Sequence, residues 1–147
     1  MNTNTLFTIF IVIVLSLIFF LKEENTKYSH LKDDAVILAF GDSLTRGFGA
    51  KEGASYPEVL QRKTNLKVIN AGVNGELSSE GLKRLPMYLK NNPKLVILCH
   101  GGNDILNDLS KDDLKANLLS MVNLIRQSGA IVILVGVPQL STFSLGV

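Results

Sequence analysis

Residues 36–45 read Val36-Ile37-Leu38-Ala39-Phe40-Gly41-Asp42-Ser43-Leu44-Thr45: an apolar run of strand length, halted by a glycine, with a serine two residues on. A run that is apolar on both faces fits a central strand buried between helices. A glycine at its carboxyl end permits the sharp turn that lifts the next residues above the sheet edge. Open α/β sheets bind ligands at the carboxyl ends of their strands, which is where Ser43 falls. Two readings of Ser43 stand at this point: a nucleophile on a strand-turn, or a cap for the helix that follows.

Downstream, strand and helix signals alternate. Arg46 to Ser55 is rich in small residues and reads as a loop, and Pro57 suits the first turn of a helix running to about Thr64. The spacing Gly47-x-Gly49-x-x-x-Gly53 is one residue too long for a dinucleotide fingerprint and lies past the turn, so a Rossmann site is rejected. Leu66 to Asn70 is a second strand, followed by the glycine-bearing turn Ala71-Gly72-Val73-Asn74-Gly75. Ser78 or Ser79 caps a helix with Leu82, Leu85 and Leu89 as its apolar stripe, in which Pro86 predicts a kink or a displaced start. Lys94 to His100 contains a third strand, closed by Gly101-Gly102-Asn103-Asp104. Ser110-x-x-Asp113 opens a helix with Leu114, Leu118, Met121, Val122 and Ile125 inward, stopped by Gly129. Ala130 to Val135 is a fourth strand, ended by Gly136 and Pro138. Alternation of this kind predicts a parallel sheet covered on both faces, with the turns after the first three strands gathered at one edge.

The 147 residues have room for one modest domain, and the formal charge of +2 is carried by interspersed groups, so no nucleic-acid partner is expected. Cys99 is the only cysteine, which excludes an internal disulfide and a cysteine-based metal cluster, and it reads as a core residue. Leu6 to Leu21 (LFTIFIVIVLSLIFFL) is uncharged throughout. It is read as an N-terminal transmembrane helix or signal segment within residues 1–22, followed by a tether over 23–34 and the domain over 35–147. The expectation is a single-pass membrane anchor with the domain outside the cytoplasm; the alternative is secretion after signal cleavage.

Ester cleavage through serine needs a nucleophile, a base, and donors for the oxyanion. Ser43 supplies the first. Its own amide, the amide of Gly75, and the uncharged side-chain amide of Asn103 are candidates for the third. Singly, Gly75 is a turn glycine and Asn103 a turn-former; placed together at one sheet edge, they favour a site.

Gly41-Asp42-Ser43-Leu44, then Asn70-Ala71-Gly72-Val73-Asn74-Gly75-Glu76, then Gly101-Gly102-Asn103-Asp104 resembles the GDSL, or SGNH, hydrolase family, in its bacterial arylesterase, thioesterase and lysophospholipase branch. Gly81-Leu82-x-Arg84-Leu85-Pro86 is similar to the same branch, and the resemblance spans about Asp34 to Pro138. It implies a flavodoxin-like three-layer α/β/α sandwich. It also implies Ser43 as nucleophile, and Ser43, Gly75 and Asn103 as the oxyanion hole, with no metal and no organic cofactor. Asp42, Gly102 and Asp104 belong to the supporting turns. The substrates implied are small acyl esters, thioesters or lysolipids.

The family's Asp-x-x-His block, which supplies the base and its orienting acid, has no counterpart here: the only histidines are His30 and His100, and the last acidic residue is Asp113. The sequence therefore predicts a fold incomplete at its C-terminus, cut short before that block, with the fourth strand an open edge. Three functions remain: a serine ester hydrolase, a catalytically inactive truncated relative, and a flavodoxin-like binding module without acyl chemistry.

Overall fold

The structure is a computed structural model that describes residues 31–136. The opening stretch forms strand β1 (Val36–Gly41), and a short helix α1 (Ser43–Arg46) follows at once. Helix α2 (Tyr56–Thr64) leads into β2 (Lys67–Gly72), and α3 (Ser78–Leu89) into β3 (Leu95–Cys99). Helices α4 (Gly102–Leu106) and α5 (Lys111–Gln127) precede β4 (Ile131–Leu134). The four strands form one parallel sheet in the order β2-β1-β3-β4. β1 is thus paired on both sides, as its doubly apolar sequence requires.

The register sets Gly41 beside Gly72 on one side and beside Cys99 on the other. The carboxyl ends of the three strands therefore lie level, and their turns leave from one edge. One face of the sheet presents Leu38, Phe40, Ala71, Val96 and Leu98 to Leu85 of α3 and to Met121 and Ile125 of α5. Leu85, Met121 and Ile125 are completely buried. α2 covers the opposite face over β2, which completes three layers. Beside α2, an apolar groove of about 630 Å³ lies over Ile97 and Cys99, bordered by Leu44, Tyr56, Leu60 and Val135.

The end of β2 and the course of α3 differ from the sequence reading, each for a local reason. β2 extends through Ala71 and Gly72, because both keep pairing with β1. α3 continues through Pro86: its exposed side meets solvent while Leu85, one residue earlier, is held in the core. α5 starts after Ser110, as the Ser110-x-x-Asp113 pattern predicts, and the Ser110 hydroxyl accepts from the Asp113 amide at 3.2 Å. β4 forms the sheet edge, with Ile131, Ile133 and Leu134 about half exposed.

The expected transmembrane helix, and the membrane partnership built on it, are corrected. Among the described residues no helix is long and apolar enough to cross a membrane. The longest, α5, has 17 residues and carries Lys111, Asp112, Asp113 and Arg126 at its ends. Residues 6–21 themselves lie outside the described residues. The described residues form the parallel-sheet α/β domain.

Candidate active site

The turn after β1 is capped by Asp42, whose Oδ1 accepts from the Leu44 amide at 3.1 Å. The Asp42 amide in turn donates to the Cys99 carbonyl at 3.3 Å, so the turn is pinned to the neighbouring strand. Asp42, not Ser43, is therefore the helix cap, which settles against the capping role for the serine. Ser43 occupies the first position of α1, half-buried, and its hydroxyl makes no hydrogen bond among the described residues.

Gly75 stands exposed in the turn after β2 with φ +73°, a conformation that side-chain-bearing residues rarely adopt, and open space surrounds its α-carbon. Asn103 sits in α4, and its Nδ2 donates to the Glu76 carbonyl at 3.0 Å. An amide nitrogen carries two hydrogens, so that bond leaves one available. The same bond ties the turn after β3 to the turn after β2. Gly102 opens α4 beside it. Asp104 is buried and reaches across to the start of α3, accepting from the Ser78 amide at 2.9 Å and from the Ser78 hydroxyl at 2.6 Å. Asp104 thus ties its own turn to a distant helix.

Beneath these turns lies a polar cluster that sequence reasoning did not assemble. Glu76, buried, meets His100 Nε2 at 3.0 Å through Oε2, and the Arg84 guanidinium grips both of its oxygens. His100 Nδ1 accepts the Gly101 amide at 3.0 Å, so the ring proton belongs on Nε2 and is donated to Glu76. Both ring nitrogens are engaged, and the His100 side chain is fully buried. It packs under the third turn and does not serve Ser43. His30 lies outside the described residues. Two signals in the sequence pointed to the cluster: a charged residue, Arg84, between apolar Leu82 and Leu85, and a glycine, Gly81, inside a helix. A β-carbon on Gly81 would collide with the His100 ring.

Cys99 lies at the bottom of the apolar groove, and burial, aided by the Asp42 carboxylate, pushes its thiol up from the ordinary value. A raised thiol holds less nucleophilic thiolate. In the folded chain at about pH 8, iodoacetamide is expected to modify Cys99 at least about tenfold more slowly than in the urea-unfolded chain, a ratio read by mass spectrometry.

A parallel sheet with a serine turn, a glycine turn and an asparagine turn on one edge defines an SGNH-type α/β hydrolase fold. Residues 39–146 match the GDSL-like Lipase/Acylhydrolase family, and the chain belongs to that family. It is 35% identical over 107 residues to esterase TesA of Pseudomonas aeruginosa, covering 69% of this chain and 53% of that one. It is 33% identical to thioesterase 1/protease 1/lysophospholipase L1 of Escherichia coli strain K12, covering 64% of this chain and 47% of the relative. Among solved structures, AlinE4, an SGNH-hydrolase family esterase, superposes with a TM-score of 0.66 at 36% identity, over 74% of this chain and 61% of that one. The crystal structure of TesA superposes with a TM-score of 0.67 at 34% identity, over 69% and 60% respectively. The chain spans about half the length of the curated relatives it matches.

Proposed function

We propose that this chain is a serine ester hydrolase acting on small acyl esters, thioesters or lysolipids through an acyl-serine at Ser43. The observation that carries the reading is the Ser43 hydroxyl, unengaged among the described residues, at a sheet edge where Gly75 and Asn103 also stand. In the reaction, Ser43 Oγ adds to the acyl carbon and the carbonyl electron pair moves onto oxygen. The amides of Ser43 and Gly75 and the free hydrogen of Asn103 Nδ2 receive that oxyanion. Its collapse expels the alcohol or thiol, which takes up the proton lost by Ser43. Water then adds to the acyl-serine in the same way and releases the acid. Glycine at position 75 suits this role, because its amide can be approached closely.

A second reading is favoured by one specific observation: His100 is occupied on both nitrogens and buried, so among the described residues no histidine is free to take the serine proton. In that reading the chain is an inactive relative. Triad enzymes that lose a member keep only the residual catalysis of the oxyanion hole and substrate binding. A fluorophosphonate probe separates the two. Ser43 of the parent chain is expected to be phosphonylated, and Ser43→Ala to remain unlabelled, with peptide mass spectrometry as the readout. Turnover of a nitrophenyl acyl ester above that of Ser43→Ala supports the enzyme. Absence of both labelling and turnover in folded protein leaves the inactive relative.

A further inference from the structure

We infer that Arg84, with Glu76 and His100, forms a positioning clamp that holds the three turns of the site at fixed mutual distances. The inference rests on the assignment of Ser43, Gly75 and Asn103 above and adds residues that touch no substrate. Each contact of Arg84 falls next to one of the site's parts. Arg84 Nη2 donates to the Gly41 carbonyl at 3.1 Å, two residues before Ser43. It also donates to the Ala71 carbonyl at 2.8 Å, at the end of β2, and to Glu76 Oε2 at 2.6 Å, directly after Gly75. Nε takes the other carboxylate oxygen. Glu76 then reaches the third turn twice, through its carboxylate to His100 and through its carbonyl to Asn103. Ser43, Gly75 and Asn103 follow three separate strands, and this chain of contacts links all three turns.

The chemistry of the clamp requires these residue types. A guanidinium is planar and presents a rigid fork, so Nε–H and one Nη2–H can take a carboxylate bidentately while the second Nη2–H is shared between two carbonyls; an ammonium on a flexible stem cannot. Arg84 is steered from its other side by aromatic rings, its guanidinium carbon lying 4.1 Å from the Phe40 ring centroid and 5.2 Å from that of Tyr88. Among the described residues Nη1 is buried without a hydrogen-bond partner, so Arg84 is held in this orientation at the expense of both Nη1 hydrogens. A buried ion pair is weak evidence for stability in itself, whereas its directional bonds fix geometry. Gln at position 76 would fail for a definable reason. Its amide nitrogen is a donor, and it would face either the Arg84 guanidinium or His100 Nε2–H; moving the ring proton to Nδ1 only transfers the conflict to the Gly101 amide.

The test uses the parent chain, Arg84→Ala and Glu76→Gln, with cooperative unfolding checked for each. Under saturating fluorophosphonate, both variants are expected to label Ser43 at a maximal rate at least about tenfold lower, with the half-saturating probe concentration unchanged, because misplaced oxyanion donors affect only the transition state. Millimolar guanidinium is expected to restore the Arg84→Ala rate in part, which mere loosening of the fold would not allow. Amide spectra of nitrogen-15-labelled chain are expected to show the Gly75 amide and the Asn103 side-chain amide shifted in Arg84→Ala, with Ser120 of α5 unmoved. Parent-rate labelling by a folded variant, or unmoved Gly75 and Asn103 resonances, overturns the clamp. If Arg84→Ala does not fold, the Glu76→Gln rate and the same two resonances in that variant decide the matter. If the parent itself resists labelling, the serine hydrolase reading fails, while the two resonances still decide whether the clamp exists.

Discussion

Replacing Gly41 with alanine is expected to abolish soluble, cooperatively folding protein. Gly41 is the last residue of β1 and does not require a left-handed backbone, so the penalty is one of space alone. A β-carbon there would overlap the Cys99 carbonyl oxygen on one side and the Thr45 hydroxyl on the other. Neither can retreat cheaply. The Cys99 carbonyl belongs to β3, which is paired with β1 at that position, and it accepts the Asp42 amide. Thr45 is fully buried and bonded to the Tyr56 hydroxyl. Overpacking a tight core costs about 1–3 kcal/mol when side chains can adjust and more when backbone must move. Here the obstruction is backbone between two central strands, against a native margin typically about 5–15 kcal/mol. Gly49→Ala is the control. Nothing lies within 4 Å of that α-carbon's would-be substituent, so only its positive φ is strained. That variant is expected to lose about 1–2 kcal/mol and still fold. Soluble yield and denaturant midpoints of the two variants make the comparison.

The same turn shows how far a sequence can be read without coordinates. The apolar runs at β1 and β3 and the glycines that end the strands were legible, because burial between helices and sharp turning leave local marks. The gathering of Ser43, Gly75 and Asn103 at one edge followed from parallel connectivity, which needs only the order of elements. What escaped was pairing between residues far apart in the chain. Glu76 and His100 lie 24 residues apart, and Asp104 and Ser78 lie 26 apart, with no periodicity to announce either contact. Nor does local sequence say which of two adjacent polar residues caps a short helix: Asp42 took that task and left the Ser43 hydroxyl without one. His100 is the sharpest case. Its position in sequence puts it at the correct edge of the sheet, where a strand-closing residue more often packs beneath the turn, and side-chain packing adds that its partner there is Glu76.

Asn103→Ala is expected to slow phosphonylation of Ser43 by about 100- to 1,000-fold, equivalent to about 2.7–4 kcal/mol of barrier. The magnitude follows from the division of labour at the site. Under the proposed function, the amide of Asn103 is one of three donors to the oxyanion, and the described residues offer no substitute donor in its place. Alanine removes the hydrogen of Nδ2 that is free to face a ligand and also the one that holds the Glu76 carbonyl at 3.0 Å. Asn103→Asp separates those two losses from simple truncation. It keeps the shape of the side chain, but replaces the donor with an anionic oxygen that faces both the Glu76 carbonyl and the developing oxyanion. Its labelling rate should therefore fall below that of alanine, since a like charge opposes the transition state instead of merely failing to assist it. Asn103 is only half-buried and lies outside the hydrophobic core cluster, so both variants should unfold within about 1–2 kcal/mol of the parent. A rate order of parent, then alanine, then aspartate, at near-constant stability, identifies a donor aimed at negative charge. Equal rates for all three would show that the Asn103 amide serves only to tie one turn to the next.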